Sequence, residues 1–242
     1  MNYVGLIVAV AEEFEALGNI MKDTDTKDIN GLTFVIGKIE GRECVLTKCG
    51  VGKVNAARTT QILIDKFPIE YVINVGVAGA LNYQLDIGDV VIGEELVQHD
   101  FDITAFGHSK GYIPGVGTKM YCDTKLIERF ENAIKNLNEK SYKIRVGTIA
   151  SGDIFCTEVA MKDKIYAKFG ADCVEMEGAA VAQVCCLSSM PFIVIRSISD
   201  SPNGKNEITY EQYVKMASKR GANVIKEFFK EEDNSKLTEV DE

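Results

Sequence analysis

The stretch DCVEMEGAAVAQVCCLSSMPFIVIRSISDSPNG, residues Asp172 to Gly204, decides the fold. Two carboxylates, Glu175 and Glu177, precede a helix of small residues, and the apolar strand that follows ends at Arg196 and Asp200. Ligands of α/β sheets bind outside the carboxyl ends of the strands, where these last two residues fall. The stretch therefore predicts one wall of an active site, with one alternative: that its carboxylates are surface charges near helix ends.

The composition favours a globular chain with a small-molecule partner. The chain has 242 residues, of which 46% are hydrophobic and 26% charged, values that are ordinary for one globular domain. We expect that domain over residues 1–230, followed by an acidic, disordered tail over residues 231–242. The net charge of -9 disfavours binding to nucleic acid or to an anionic membrane, because phosphate neutralisation needs clustered Lys and Arg.

The cysteines predict a reducing compartment. Seven of them are scattered along the chain, and none shows CxxC or metal-ligand spacing. The first apolar run, Val4–Ala11, is too short to span a bilayer and lacks a basic leader, so we expect no export signal. We therefore predict a cytoplasmic protein with reduced thiols.

Apolar runs alternate with helical patterns along most of the chain. Buried strands are expected at Val4–Val10, Tyr71–Val75, Asp89–Ile92 and Ile144–Ala150, a hairpin at Leu32–Ile39 and Cys44–Cys49, and helices at Thr124–Asn138 and from about Tyr210 to Phe229. Further helices follow the first strand and the turn at Gly50–Gly52. This alternation, without long linkers or repeats, predicts a three-layer α/β/α fold with a central mixed, largely parallel sheet.

Four strand ends carry the informative side chains and could converge on one crevice. They lie near Glu13, at Gly76–Ala80, at Ser151–Cys156 and at Arg196–Asp200. Carboxylates, one arginine, an aromatic ring and exposed glycine backbone suit a ligand with hydroxyls and a flat ring, and acid/base chemistry by carboxylates.

Several features allow two interpretations at this stage. The glycines before the second helix indicate either a tight turn or close approach to a ligand, and Phe155 indicates either core or a base-stacking platform. His99 and His108 lie beside aspartates, but no fixed ligand spacing supports a metal site there.

Several segments in order carry a family resemblance. They are VGLIVAVAEEFEAL, GVGKVNAA, VINVGVAGAL, IGDVVIGEELVQHDFDITAFG, GTIASGDIF, VEMEGAAVAQVC and PFIVIRSISD. In register from Val4 to about Tyr213, the chain resembles the 5'-methylthioadenosine/S-adenosylhomocysteine nucleosidases of the nucleoside phosphorylase superfamily. The resemblance implies a nucleoside phosphorylase-like fold.

The resemblance also implies roles for individual residues. Asp200 matches the general acid that protonates N7 of adenine, and Glu13 the glutamate that activates water. Glu177 matches the partner of the ribose 3'-hydroxyl. The backbone of Met176 matches the site of the 2'-hydroxyl, with Arg196 close by. The remaining substrate-binding residues implied are Phe155, stacked on adenine, Cys156, whose backbone reads the base, and Ser199, Val77, Ala78 and Gly79.

An apolar pocket for the 5' substituent is implied as well. Val10, Val51 and Tyr210 match its lining, and Phe106 and Pro114 match residues lent by a second subunit, which implies a homodimer. The implied reaction is hydrolysis of the N-glycosidic bond of methylthioadenosine and S-adenosylhomocysteine, and of 5'-deoxyadenosine, without cofactor or metal. It would serve methionine salvage and detoxification in the methyl cycle.

Three other functions are compatible with these residues. They are a related nucleosidase such as futalosine hydrolase, a phosphate-dependent nucleoside phosphorylase, and a non-catalytic nucleoside-binding protein. Phosphate binding needs convergent basic groups, which the strand ends lack.

One position departs from the family pattern. The family usually has a GSAGG stretch where this chain reads GVAGA, so Val77 replaces a serine. Loss of one hydrogen bond, worth about 0.5 to 1.5 kcal/mol, is expected to tune rate or substrate preference rather than abolish activity.

Overall fold

A computed structural model describes residues 2–137, 142–202 and 210–238, with side chains from Gln212 to Lys230 in the last segment. The strands are β1 (Tyr3–Val8), β2 (Lys22–Ile29), β3 (Leu32–Ile39), β4 (Arg42–Lys48), β5 (Ile69–Ala80), β6 (Val90–Gln98), β7 (Met120–Tyr121), β8 (Ile144–Ser151), β9 (Cys173–Glu175) and β10 (Phe192–Asp200). The helices are α1 (Ala11–Gly18), α2 (Lys53–Lys66), α3 (Thr124–Asn136), α4 (Val159–Phe169), α5 (Gly178–Leu187) and α6 (Tyr210–Thr238).

The ten strands found among the described residues belong to one mixed sheet. Strand β5 pairs in parallel with β1 and β10, while β6 pairs in parallel with β8 and antiparallel with β10. Strand β9 joins β8 to β5, so β5, β9, β8, β6 and β10 form a closed ring of pairings. The order β1–β4–β3–β2 extends the sheet from β5. The long β5 strand therefore lies where the ring meets the open part of the sheet.

Helices cover the sheet in two groups. Helices α1 and α3 contact α6, and α2 contacts α5. The strands between them are apolar on both faces, as in Val4–Val8 of β1, and their side chains form a continuous buried core. The local sequence determines where helix α3 begins. The Asp123 side chain caps the helix by accepting a hydrogen bond of 3.0 Å from the backbone N–H of Leu126.

The α/β fold with a mixed sheet is confirmed, and the hairpin forms as β3 and β4 around Glu40 and Gly41. The glycine-rich end of β5 remains in the strand up to Ala80, and β6 continues to Gln98, because both segments keep ladder partners beyond their apolar runs. Helix α6 continues to Thr238, past Lys230, where we expected the tail to begin.

Four of the described strands and helices escaped prediction, among them β7, a strand of two residues. Strand β2, KDTDTKDI, is exposed and polar, and only its pairing with β3 makes it a strand. Strand β9 has three residues, too few for a period, and α4 carries a buried lysine that interrupts its apolar pattern. No helix among the described residues is long and apolar enough to cross a membrane.

Candidate active site

A cavity of about 390 Å³ opens at the carboxyl ends of β1, β5 and β10. Most of the residues predicted at the site line it: Val10, Glu13, Val51, Val77, Ala78, Gly79, Phe155, Cys156, Met176, Glu177, Arg196, Ser199 and Asp200. The structure thus brings the four informative strand ends together. Phe106 and Pro114 are exposed and lie outside the cavity lining of this chain, and the side chain of Tyr210 falls outside the described residues.

Glu13 lies in the first turn of α1, and its side chain points back toward the end of β1. Its Oε2 accepts hydrogen bonds from the backbone N–H groups of Ala9 at 2.9 Å and Val10 at 3.1 Å. Its other oxygen lies beside Gly76, where a Cβ would come within 3.1 Å of it. Burial raises the pKa of this carboxyl above its usual range, against the effect of those backbone donors. The second carboxylate oxygen thus lies at the β5 wall of the cavity, near the backbone of Gly76 and Val77.

Glu175 and Arg196 form a buried ion pair beneath the cavity. All five guanidinium N–H groups have partners: Nε and Nη2 bind Glu175, Nη2 also binds Asn74, and Nη1 binds the backbone oxygens of Asn74 and Ile195. Glu175 further accepts from the backbone N–H groups of Glu177 and Gly178. Arg196 therefore fixes the turn that carries Glu177, and its own donors are engaged.

Glu177 presents its carboxylate to the cavity from the start of α5. Its Oε1 accepts a hydrogen bond of 2.9 Å from the backbone N–H of Gly52, at the start of α2. Burial, together with the neighbouring charge of Glu175, raises the pKa of Glu177 to about 7. The glycine turn before α2 thus donates a backbone N–H to a carboxylate of the cavity.

Asp200 ends β10 and is the least buried of the acidic groups at the site. Its Oδ1 accepts a hydrogen bond of 2.9 Å from Ser199, and its Oδ2 accepts one from the ammonium group of Lys162. The carboxylate lies flat against Gly79, whose missing Cβ would stand 3.0 Å from both oxygens. Close approach of the β5 backbone therefore depends on a glycine at this position.

The loop after β8 supplies the aromatic wall. Phe155 is 62% exposed at the cavity, so it is not part of the core. The loop is anchored by Asp153, which accepts a hydrogen bond of 2.8 Å from the backbone N–H of Lys53 and donates its own N–H to Asp100 at 2.9 Å. Lys53 also pairs with Asp100. The Asp100 side chain, next to His99, thus orders a loop of the site.

Glu175 and Glu177 are both buried, so the alternative that they are surface charges is wrong. Their partners come from the core and from the start of α2, rather than from a helix end alone. The described residues contain no group of three or more His, Cys, Asp or Glu side chains that could hold a metal ion.

Comparison with known proteins places this geometry in a family. The family model of the phosphorylase superfamily matches residues 3–230. A 5'-methylthioadenosine/S-adenosylhomocysteine nucleosidase of Marinomonas sp. (strain MWYL1) is 38% identical over 95% of this chain and 99% of its own length. The chain belongs to the 5'-methylthioadenosine/S-adenosylhomocysteine nucleosidase family.

Solved structures agree with this membership. The nucleosidase of Campylobacter jejuni superposes with a TM-score of 0.90 at 35% identity, covering 96% of this chain and all of its own. The futalosine hydrolase of Helicobacter pylori superposes almost as well, with a TM-score of 0.89, over 95% of this chain and 98% of its own, but at 29% identity. The fold is therefore shared by both kinds of nucleosidase, while sequence identity favours the nucleosidase family named above.

Sequence reasoning missed one charged residue at the site of this family member. Lys162 lies in α4, is 2% exposed and contacts Asp200. A signal was available: Lys162 stands three residues after Val159 and three before Ile165, so a lysine occupies the apolar face of a helical repeat.

Proposed function

We propose that the protein hydrolyses the N-glycosidic bond of 5'-methylthioadenosine and S-adenosylhomocysteine and releases adenine. The observation that carries this proposal is that Glu13 and Asp200 line one cavity together with Glu177. Two carboxylates can divide the work of glycoside hydrolysis, one as acid toward the leaving group and one as base toward water. The relatives that are named 5'-methylthioadenosine/S-adenosylhomocysteine nucleosidase support the same reaction.

In the proposed reaction, Asp200 gives a proton to N7 of adenine as the bond from N9 to C1' of the ribose breaks. Glu13 takes a proton from the water that attacks C1'. Its burial, which raises its pKa, makes it a stronger base than an exposed glutamate once it is ionised. The products are adenine and the 5'-substituted ribose, and no cofactor enters the balance.

The other walls of the cavity fit the parts of such a nucleoside. Phe155 offers an exposed ring on which the purine can stack, beside Cys156, and Glu177 offers a carboxylate to a ribose hydroxyl. We propose that Met176 contributes backbone contacts to the ribose and that Val10 and Val51 contact the 5' substituent. An apolar 5' pocket would accept methylthioadenosine, S-adenosylhomocysteine and 5'-deoxyadenosine alike.

We further propose that the active form is a homodimer in the cytoplasm and that it serves methionine salvage and removal of S-adenosylhomocysteine. Phe106 is 81% exposed although it is a large apolar side chain, and Val51, at the 5' end of the cavity, is 53% exposed. Packing of a second subunit on these side chains would remove their apolar surface from water. The reducing compartment follows from the cysteine pattern predicted above.

The decisive experiment measures adenine release from methylthioadenosine and S-adenosylhomocysteine in buffer without phosphate. We expect turnover by the natural chain, and a loss of about 100- to 10,000-fold in Asp200→Asn with substrate binding retained, because that variant cannot donate the proton. Asp65→Asn, an exposed aspartate on α2, is the matched control and should keep full activity.

Three results would contradict the proposal. A rate that rises in proportion to added phosphate would indicate a phosphorylase. Preferential cleavage of futalosine in a substrate panel would indicate the other nucleosidase reaction, and unchanged turnover in Asp200→Asn would remove Asp200 from the role of acid.

A further inference from the structure

Lys162 is a buried cation for which packing alone gives no reason. It lies in the first turn of α4 with 2% of its surface exposed. Its ammonium group donates to Oδ2 of Asp200 and, at 3.2 Å, to the backbone oxygen of Ser201. Because burying a charge is costly unless it is paired, its position is tied to that of the Asp200 carboxylate.

Both oxygens of Asp200 are held by side chains. Ser199 donates to Oδ1, and Ser199 is itself 5% exposed, with its hydroxyl also 3.2 Å from the backbone oxygen of Ala78. Lys162 holds Oδ2, and Gly79 lies against the flat side of the group. The orientation of Asp200 toward the cavity is therefore set jointly by a helix, α4, and by its own strand.

We propose that Lys162 is a positioning residue for Asp200, which it orients for proton transfer to the base and whose carboxylate it stabilises once the proton has left. When the Asp200 O–H bond breaks and the N7–H bond forms, one negative charge appears on Asp200. Lys162 keeps its own proton throughout and faces that charge at hydrogen-bond distance. A preorganised cation placed where charge develops stabilises the transition state without reorganisation.

The ammonium group of Lys162 faces the Asp200 carboxylate directly. Cys156 is the other titratable group coupled to this pair. Burial raises the pKa of its thiol, Lys162 lowers it, and Asp200 and Asp100 raise it. Glu13 and Glu177 line the same cavity, and their contacts are made with other groups.

The test is steady-state adenine release by Lys162→Met. This proposal rests on the proposed hydrolysis, so turnover by the natural chain is established first; without it the proposed function fails, whatever the variant does. We expect kcat to fall about 10- to 100-fold with KM changed less than about threefold, as for a misplaced catalytic group. Lys162→Arg, which keeps the cation, should retain more of the natural kcat than Lys162→Met.

Two further variants keep the test decisive. Lys164→Met changes an exposed lysine on the same helix and should leave kcat and KM as they are. Lys162→Gln keeps a hydrogen-bond donor without the charge, which serves if the methionine variant does not fold; its kcat should fall as well, with KM little changed. A kcat within twofold of the natural chain, or a loss of activity that lies in KM rather than in kcat, would overturn the proposal.

Discussion

Glu175 and Glu177 are two residues apart, yet the fold gives them different tasks. The carboxylate of Glu175 accepts hydrogen bonds from Arg196 and from the backbone of the turn, so Glu175 stabilises the site. Glu177 keeps a single described protein donor, Gly52, and lies at the cavity with its pKa raised to about 7 by burial and by Glu175. A carboxylate held in this way is available to a ligand, whereas its neighbour is not.

The raised pKa of Glu177 predicts that the free energy of unfolding falls as pH rises. The folded state holds the proton up to about pH 7, whereas the unfolded chain releases it near 4.5, so the folded state binds more protons between these values. At about 1.4 kcal/mol per pH unit, the free energy of unfolding should fall by up to about 3 kcal/mol on this account. Urea denaturation at pH 4.5 and pH 8 checks this.

Glu177→Gln supplies the comparison, because glutamine keeps the shape and loses the titration. The variant should be about as stable as the natural chain at pH 4.5 and more stable at pH 8. Equal dependence on pH in the two proteins would show that Glu177 ionises in the fold as it does in the unfolded chain.

Among the secondary-structure elements, the carboxyl half of β5 matters because its backbone is in close contact with the Asp200 side chain. Residues Val77 to Gly79 pair with β10, and the Asp200 carboxylate lies on Gly79. Val77 lines the cavity without a hydroxyl, while Ser199 and Lys162 hold Asp200 instead. Helix α4 thus contributes to the site a contact that its weak apolar pattern did not predict.

Gly79→Ala should therefore lower activity more than stability. An added Cβ would meet both Asp200 oxygens at 3.0 Å, and the side chain, being 24% exposed, can shift toward the cavity. We expect kcat to fall at least about tenfold, since small displacements of a catalytic group are costly. Gly18→Ala is the control, because nothing lies within 4 Å of the new methyl group there. Similar activity in both variants would contradict the proposed importance of the Asp200 position.

For the whole molecule, one chain supplies the walls of the cavity but leaves it open near Val51, which is 53% exposed. Phe106 is exposed on a turn of 3-10 helix at Thr104–Phe106, away from the cavity lining of its own chain. An exposed phenylalanine of this kind is stabilised when it is buried against another apolar surface. The proposed dimer would complete the cavity with this residue and Pro114.

Phe106→Ala tests that arrangement. We expect KM for methylthioadenosine to rise about tenfold, while the circular dichroism spectrum shows an unchanged fold, because the side chain is 81% exposed within its own chain. Sedimentation of the natural chain should give twice the mass of 26.6 kDa. Tyr83→Ala, another exposed aromatic, is the control, and a monomer with unchanged KM in Phe106→Ala would contradict the dimer proposal.

The sequence by itself determined the strand and helix alternation, the hairpin, the convergence of four strand ends and, through motif order, the family. These features depend on local periodicity and on residues that stand at fixed distances along the chain. Only the tertiary structure decided that Glu175 belongs to Arg196, that Gly52 holds Glu177, and that Lys162 faces Asp200. It also decided the ring of strands and the β2 strand. Partners distant in sequence are chosen by packing and by the cost of burying an unpaired charge, which no local pattern records.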